Sequence, residues 1–301
     1  MSDVDVVLVN YRSGPKLAAA AAEAHRWLGD RAVLTVVDNS PGDGSVDAVA
    51  GDARVIANEE NRGFAAAVNQ AVAATSAPLV LLLNPDVHGI RGDFAAIDRI
   101  LAADPDVAAV APRLVGEDGA LQRSARREPR LRDLLVDVLG LRGRFRGSRR
   151  LRASQYGDWE YDSERVVDAV AGAVLVLRRA AFDAVGPFDE RFFVYAEETD
   201  WLVRAKRLGW KTVLTPEVEA VHEARASTDA GESALTLLLV ESEHAYVQKH
   251  FGGRASLAFR AALLGIDSAR WALAAVRPGK RAHRRLLAER IRLHAGAEPR
   301  R

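Results

Sequence analysis

The chain contains no cysteine in its 301 residues. This excludes a disulfide framework, a thiolate metal site and a thiol nucleophile, so any bound metal must rest on oxygen or imidazole. Long uncharged apolar runs are also missing, and nothing approaches the roughly 20 residues a spanning helix needs. The N-terminal Met1-Ser2-Asp3-Val4-Asp5 has no basic segment leading into an apolar one, so no secretory signal is expected and a cytoplasmic location is. Neither a G-x-G-x-x-G dinucleotide loop nor a G-x-x-x-x-G-K-[ST] phosphate loop is present.

What the chain does have is an ordinary globular composition, 49% apolar and 28% charged, and a net charge of +1 that hides an asymmetry. Residues 123–152 hold eleven Arg against three acids, and residues 270–301 hold ten Lys or Arg against two. Together these segments carry +16, which leaves −15 on the rest. Two basic surfaces on an acidic body suit lipid headgroups or phosphates better than uniform wrapping by nucleic acid. A solvated face is the plainer reading of each run.

In residues 1–110, short apolar runs alternate with Ala-rich helical stretches. Strands are expected at Val4–Val9, Ala32–Val37, Ala53–Ala57 and Leu79–Leu83, and helices at Pro15–Leu28, Ser45–Ala50 and Phe64–Thr75. This alternation predicts a parallel sheet covered on both faces, with ligands beyond the carboxyl ends of the strands. The segments after those ends are polar: Asn10-Tyr11-Arg12-Ser13-Gly14, Asp38-Asn39-Ser40, Asn58 through Asn61-Arg62-Gly63, and Asn84-Pro85-Asp86. Further on, Val166–Leu177 reads as one long apolar run containing Gly172, where a ligand or another backbone approaches closely. Helices are expected at Ala180–Val185 and Glu197–Leu208, strands at Thr212–Leu214 and Val218–Val221, and helix from Ser233 onward.

A sheet built for a nucleotide but lacking a phosphate loop needs another device for a diphosphate, and a divalent cation is the obvious one. Asp86, directly after an apolar strand, stands where a ligand belongs, although Asn84-Pro85-Asp86 also reads as a simple turn. Glu197, Glu198 and Asp200 place three acids at a helix start, which the helix dipole alone favours. Preceded by Phe192-Phe193-Val194-Tyr195, they also suit a general base whose pKa an apolar surround raises. His222 ends a strand, and alone it is as well read as a structural histidine.

Taken in order, these segments resemble the family-2 glycosyltransferases of GT-A fold, and most closely their bacterial rhamnosyltransferase-like branch. The resemblance spans residues 4–228. It is carried by Val9-Asn10-Tyr11, Val37-Asp38-Asn39-Ser40, Asn61-Arg62-Gly63-Phe64 through Asn69, Asn84-Pro85-Asp86, Leu121 through Arg127, Ala171-Gly172-Ala173, Gly186 through Phe193, Glu197-Glu198-Thr199-Asp200-Trp201 and His222. It departs from the family's Asp-x-Asp at Asn84, and from its usual Glu-Asp pair at Glu198.

The resemblance implies an α/β fold, a Rossmann-like nucleotide-diphospho-sugar transferase with a mostly parallel central sheet and a helical C-terminal extension. Residues 1–230 are then the catalytic domain, with 1–110 its nucleotide-binding half and 111–230 its acceptor half, and 231–301 are the extension. A nucleotide-sugar donor, such as dTDP-rhamnose, is held by Asn10, Tyr11, Asp38, Asn61, Gly63, Asn69, Asn84, Asp86 and Gly172. Asp86 and His222 bind Mg2+ or Mn2+, Glu198 is the general base, and Glu197 and Asp200 support it. Transfer inverts the sugar and goes to a saccharide acceptor, by analogy one linked to a polyprenyl diphosphate.

Residues Ala255–Arg277 form an amphipathic helix with Arg260, Asp267, Arg270 and Arg277 on one side. Two readings stay open. The helix lies at a membrane interface beside anionic lipid, with residues 123–152 and 255–301 as one basic surface near the acceptor entrance, or it packs against the catalytic domain or a partner in a homo-oligomer. Two other functions fit the sheet less well. A sugar-nucleotide pyrophosphorylase needs a Gly-rich activating loop after strand one, where residues 10–14 offer one glycine. A non-catalytic nucleotide-sugar or lipid-binding module differs only in lacking activity.

Overall fold

The computed structural model describes residues 3–139, 153–157, 159–223, 232–276 and 281–297. They group into two units. The first comprises residues 1–128, 152–193 and 197–229, and the second residues 129–151, 194–196 and 230–301.

The first unit is built on a ten-stranded sheet. Strands β1 (Val4–Asn10), β2 (Ala32–Asp38), β3 (Ala53–Ala57) and β4 (Leu79–Leu83) pair in parallel in the order β3-β2-β1-β4. Each crosses over through a covering segment, as parallel strands must. Helix α1 (Pro15–Leu28) starts on a proline that needs no donor and buries Leu17, Ala20, Ala21, Ala24, Trp27 and Leu28. It ends at Gly29, whose φ of 56° stops the helix. The crossover from β2 to β3 differs from expectation, because residues 45–50 form successive turns instead of a helix. Gly42 and Gly44 take positive φ, the Asp43 carboxylate accepts the Ser45 amide, and the following bonds run from i to i−3.

Beyond β4 the sheet turns mixed. Strands β5 (Val87–Arg91), β6 (Val107–Val115), β7 (Leu121–Gln122), β9 (Arg165–Val167), β11 (Val174–Arg178) and β12 (Lys211–His222) continue it. The order from β4 is β11-β6-β12-β5, with β11 antiparallel to both neighbours and β12 parallel to β6. The run Val166–Leu177 is therefore not one strand. It is cut at Asp168, whose carboxylate accepts the Glu128 amide, into β9, the short β10 (Ala169–Val170), which pairs with β8 (Ala125–Arg126), and β11. Conversely, the two strands expected between residues 212 and 221 are one strand, β12, carrying a bulge between Thr215 and Glu219. Pro216 sits in that bulge, where its missing donor does no harm to the ladder.

The sheet separates two apolar layers, one under α1 and α3 (Ala95–Ala103), the other under α2 (Phe64–Ala73) and the later helices α5 (Arg179–Val185) and α6 (Glu197–Arg207). The Arg-rich segment is only partly described, since residues 140–152 lie outside the described residues. Its first arginines serve the fold. Arg123 donates to the carbonyl of Trp159 at 2.7 Å and pairs with Glu160, and Arg127 lies 4.5 Å over the Tyr156 ring. Arg123 is thus tied into the fold, while Arg126, Arg127 and Arg130 stay exposed.

In the second unit, α4 (Leu131–Val138) packs Leu131, Leu134 and Leu135 against Val247, Phe259 and Leu263 of α7 (Glu232–Ala275). Helix α7 breaks at Gly252, where φ is 82°, and α8 (Arg281–His294) folds back along its second arm. No helix among the described residues is long and apolar enough to cross a membrane.

Candidate active site

Parallel pairing brings the carboxyl ends of β1 to β4 to one edge, and their loops are laced together there. Asn10 is fully buried and donates from Nδ2 to Asp38 Oδ1 at 2.8 Å and to Ser40 Oγ at 3.1 Å. Asn39 donates to the Gly63 carbonyl at 3.1 Å and accepts from Asn58 at 2.8 Å. Asn10 is thus a brace that fixes Asp38, and Asp38 remains the carboxylate at the rim. Beside it lies an open depression of about 600 Å³ bordered by Ala57, Asn58, Glu59, Glu60 and Arg62. Tyr11 is half-buried beneath the Arg12 guanidinium.

Three expected donor-binding residues hold chain to chain. Asn61 turns its carbonyl oxygen to the Gly63 amide at 2.9 Å. Gly63, at φ 84°, leaves no room for a side chain, since a Cβ there would lie 2.4 Å from the Phe193 carbonyl oxygen. Asn69 accepts the Phe188 amide at 2.9 Å and donates to the Phe188 carbonyl at 2.9 Å. These residues pin the segment 188–193 to α2.

The metal expectation meets a site that fits it. Asp86 closes the turn after β4 and is 2% exposed, yet its Oδ1 has no hydrogen-bond partner among the described residues. A buried carboxylate oxygen left so is costly unless something cationic faces it. His222 Nε2 stands 3.6 Å from that oxygen, while its Nδ1 is 3.0 Å from Gln122 Oε1. Gln122 therefore fixes the tautomer with the proton on Nδ1 and leaves the Nε2 lone pair toward Asp86, as second-shell partners of metal-binding histidines do. Burial lowers the His222 pKa and keeps the ring neutral, the state a ligand needs. Gln122 was not singled out from sequence, and its only signal is its place in the Leu121–Arg127 segment. Asn84 spans the same turn, its amide bonded to the Ala173 carbonyl at 2.9 Å. The turn and the ligand are one structure.

The acids of α6 separate into three roles. Asp200 is fully buried and bonded to Arg204 at 2.9 Å, and Arg204 also donates to the carbonyls of Val185 and Pro187. It anchors the helix. Glu197 is buried with an unpartnered Oε2 among the described residues, and burial together with the nearby Glu198 charge raises its pKa well above the ordinary value. Glu198 is raised too, chiefly by burial, but the helix-start amides and the positive charge of Arg126 pull it back. Both carboxyls are therefore raised, Glu197 the more strongly, so Glu198 is the one that gives up its proton more readily. Gly172 lies against Glu198, so that a Cβ there would come 3.3 Å from its Cγ. The glycine expected to face the donor thus makes room for the base. Tyr195 and Ala196, just before Glu197, both sit in the left-handed region at φ 71° and 70°. Such strain is held at functional turns more often than elsewhere.

Residues 5–180 match the family Glycosyl transferase family 2, and the chain belongs to that family. An N-acetylglucosaminyl-diphospho-decaprenol L-rhamnosyltransferase of Mycobacterium tuberculosis is 28% identical over 297 residues, covering 90% of this chain and 95% of its own. A low-salt glycan biosynthesis hexosyltransferase of Haloferax volcanii is 22% identical over 79% of this chain and 73% of its own. Among solved structures, a mannosyltransferase from Pyrobaculum calidifontis in complex with GDP-Man and Mn2+ superposes with a TM-score of 0.54 at 17% identity, covering 97% of this chain and 86% of that one. The fold is GT-A.

Proposed function

We propose that this glycosyltransferase moves L-rhamnose from dTDP-rhamnose, with inversion, to a hydroxyl of a polyprenyl-diphosphate-linked saccharide. The rhamnosyltransferase of similar length supports the sugar and the lipid-linked acceptor. The observation that carries the chemistry is the Glu197–Glu198 pair at a helix start, both raised by burial and Glu197 the more strongly. Glu198 takes the proton as the acceptor oxygen attacks the anomeric carbon, and the bond from that carbon to the β-phosphate oxygen breaks on the opposite face. A single displacement needs one catalytic carboxylate, unlike the paired carboxylates of retaining glycosidases. Asp86 and His222 would hold a divalent cation, which supplies charge stabilisation to the departing diphosphate. Asp38, fixed by Asn10, reads the nucleoside at the neighbouring rim.

Release of the nucleoside diphosphate from a panel of nucleotide sugars, in the presence of a short-chain polyprenyl-diphosphate saccharide, tests this reading. dTDP-rhamnose is expected to turn over at least about tenfold faster than UDP- or GDP-hexoses. A preferred UDP- or GDP-sugar replaces the donor, retention at the anomeric carbon in the product overturns the displacement, and inertness toward every donor favours a binding module.

The carboxyl pair also makes opposite demands on pH. Both folded-state values lie above the ordinary glutamate value of 4.5, so between 4.5 and those raised values the native state holds more protons than the unfolded chain. Their contribution to stability is therefore full at pH below 4.5 and lost as pH rises through the folded values. Turnover runs the other way, rising as Glu198 ionises. In the Glu197→Gln variant the decline of melting temperature across this window is expected to flatten, and an unchanged slope would show that Glu197 ionises as an ordinary surface acid.

A further inference from the structure

A solvent-facing helix normally turns its charges outward and its apolar residues inward. The second arm of α7 buries Phe259 and Leu263 but turns most of its charged residues inward as well. Its charged residues face α8. Asp267 is fully buried and paired with Arg290 at 2.7 Å, His294 at 3.1 Å and Arg270 at 3.3 Å. Arg260 donates to the carbonyls of His294 and Leu293 at 3.0 and 3.1 Å. The polar side that the sequence places at a surface is the packed side.

The outward side carries no charge from Leu257 to Val276, a length of about 30 Å at 1.5 Å per residue. Leu257 is 72% exposed, Leu273 63% and Val276 80%, with Trp271 at its border 42% exposed. The positions between them are Ala, Gly and one Ser. Next in the chain, α8 exposes Arg281, Arg285 and Arg292, and residues 270–301 as a whole hold ten basic residues against two acids.

We propose that this face lies in the interface of an anionic lipid bilayer. Trp271 and Leu273 lie in the last two turns of the helix and Val276 just past its end, five residues before Arg281 in the chain, and an exposed apolar end next in sequence to basic residues suits the boundary of an anionic bilayer. The exposed guanidinium groups that follow in α8 choose the sign of the headgroups. Trp271, 42% exposed and next to Arg270 in the chain, has an amphipathic ring suited to such a boundary. The helix is not apolar enough to span, so it lies along the surface. This inference is independent of the donor and acceptor assigned above.

Flotation of the full chain with vesicles tests it. The chain is expected to float with equimolar phosphatidylglycerol and phosphatidylcholine, to stay down with phosphatidylcholine alone, and to be released by high salt. The Leu273→Glu/Val276→Glu double variant alters only exposed positions, so its melting temperature should hold while the floated fraction falls about tenfold. Equal flotation with both vesicles, flotation with neither, or a wild-type dimer that the double variant splits while floating normally would each overturn the proposal. The last result would assign the face to a second copy of the chain. Loss of flotation with transfer to a short-chain acceptor intact separates this proposal from the transferase reading, which fails only if transfer fails.

Discussion

Glu198→Gln is expected to lower turnover by about 10²–10⁴-fold with little change in donor affinity, because amide replaces base without altering shape. The size follows from the pair. Glu197 is held the more strongly protonated of the two, so it is the poorer substitute base, and solvent replaces the lost one poorly. Glu197→Gln, in contrast, keeps a neutral donor-acceptor group in the same space and is expected to retain most of the activity. Single-turnover measurements with each variant at saturating donor decide between them. If Glu197→Gln is the dead variant and Glu198→Gln turns over normally, the roles are exchanged, and the pull of Arg126 on Glu198 has been overrated.

Asp86→Ala is expected to abolish transfer, as is chelation of wild-type enzyme by EDTA. Removing Asp86 deletes the carboxylate whose Oδ1 faces His222 across 3.6 Å without another partner. Since an unsatisfied buried carboxylate is costly, the alanine variant should be no less stable than wild type in the absence of metal. Melting temperature with and without Mn2+ reports on binding apart from catalysis. Wild type is expected to be stabilised by the ion and Asp86→Ala not, as ligand linkage requires. Full activity in chelator, or an equal rise in both proteins, would remove the metal from Asp86.

The parallel half of the sheet was legible because its strands are near-continuous apolar runs, interrupted only by Asp5, Thr35 and Arg54 before their polar ends, and the buried strands β1, β2 and β4 leave that mark. The mixed half was harder. Strand β11 lies between β4 and β6 through antiparallel pairing, a long-range choice that no local pattern records. Asp168 interrupts an apolar run that looked continuous, and only its bond to the Glu128 amide explains the break.

In the site, residue types marked the loops at the strand ends, while the hydrogen bonds each side chain makes there were not legible from sequence. Asn61, Gly63 and Asn69 are polar or small beside the crevice, which reads as donor binding, but their hydrogen bonds go to the chain itself. Gln122 was missed for the opposite reason. A lone glutamine has no motif, and its value comes from meeting His222, a hundred residues away, at 3.0 Å. The arginine side of α7 was visible as a stripe, but a stripe does not say which way it faces. That depended on Asp267 finding Arg290 and His294 on α8.

The bulge in β12 bears on how such a site changes over evolutionary time. Between Thr215 and Glu219 the strand slips against β6, and only after that slip does His222 come into register with Val87, next to Asp86. Side chains alternate along a strand, so a slip of one residue sends every later side chain to the opposite face. A single-codon deletion around Pro216 would therefore turn the imidazole away from Asp86 while leaving every residue named in the site intact. Two relatives could then share all of these residues and differ in their need for a metal, with the difference written only in the length of a bend.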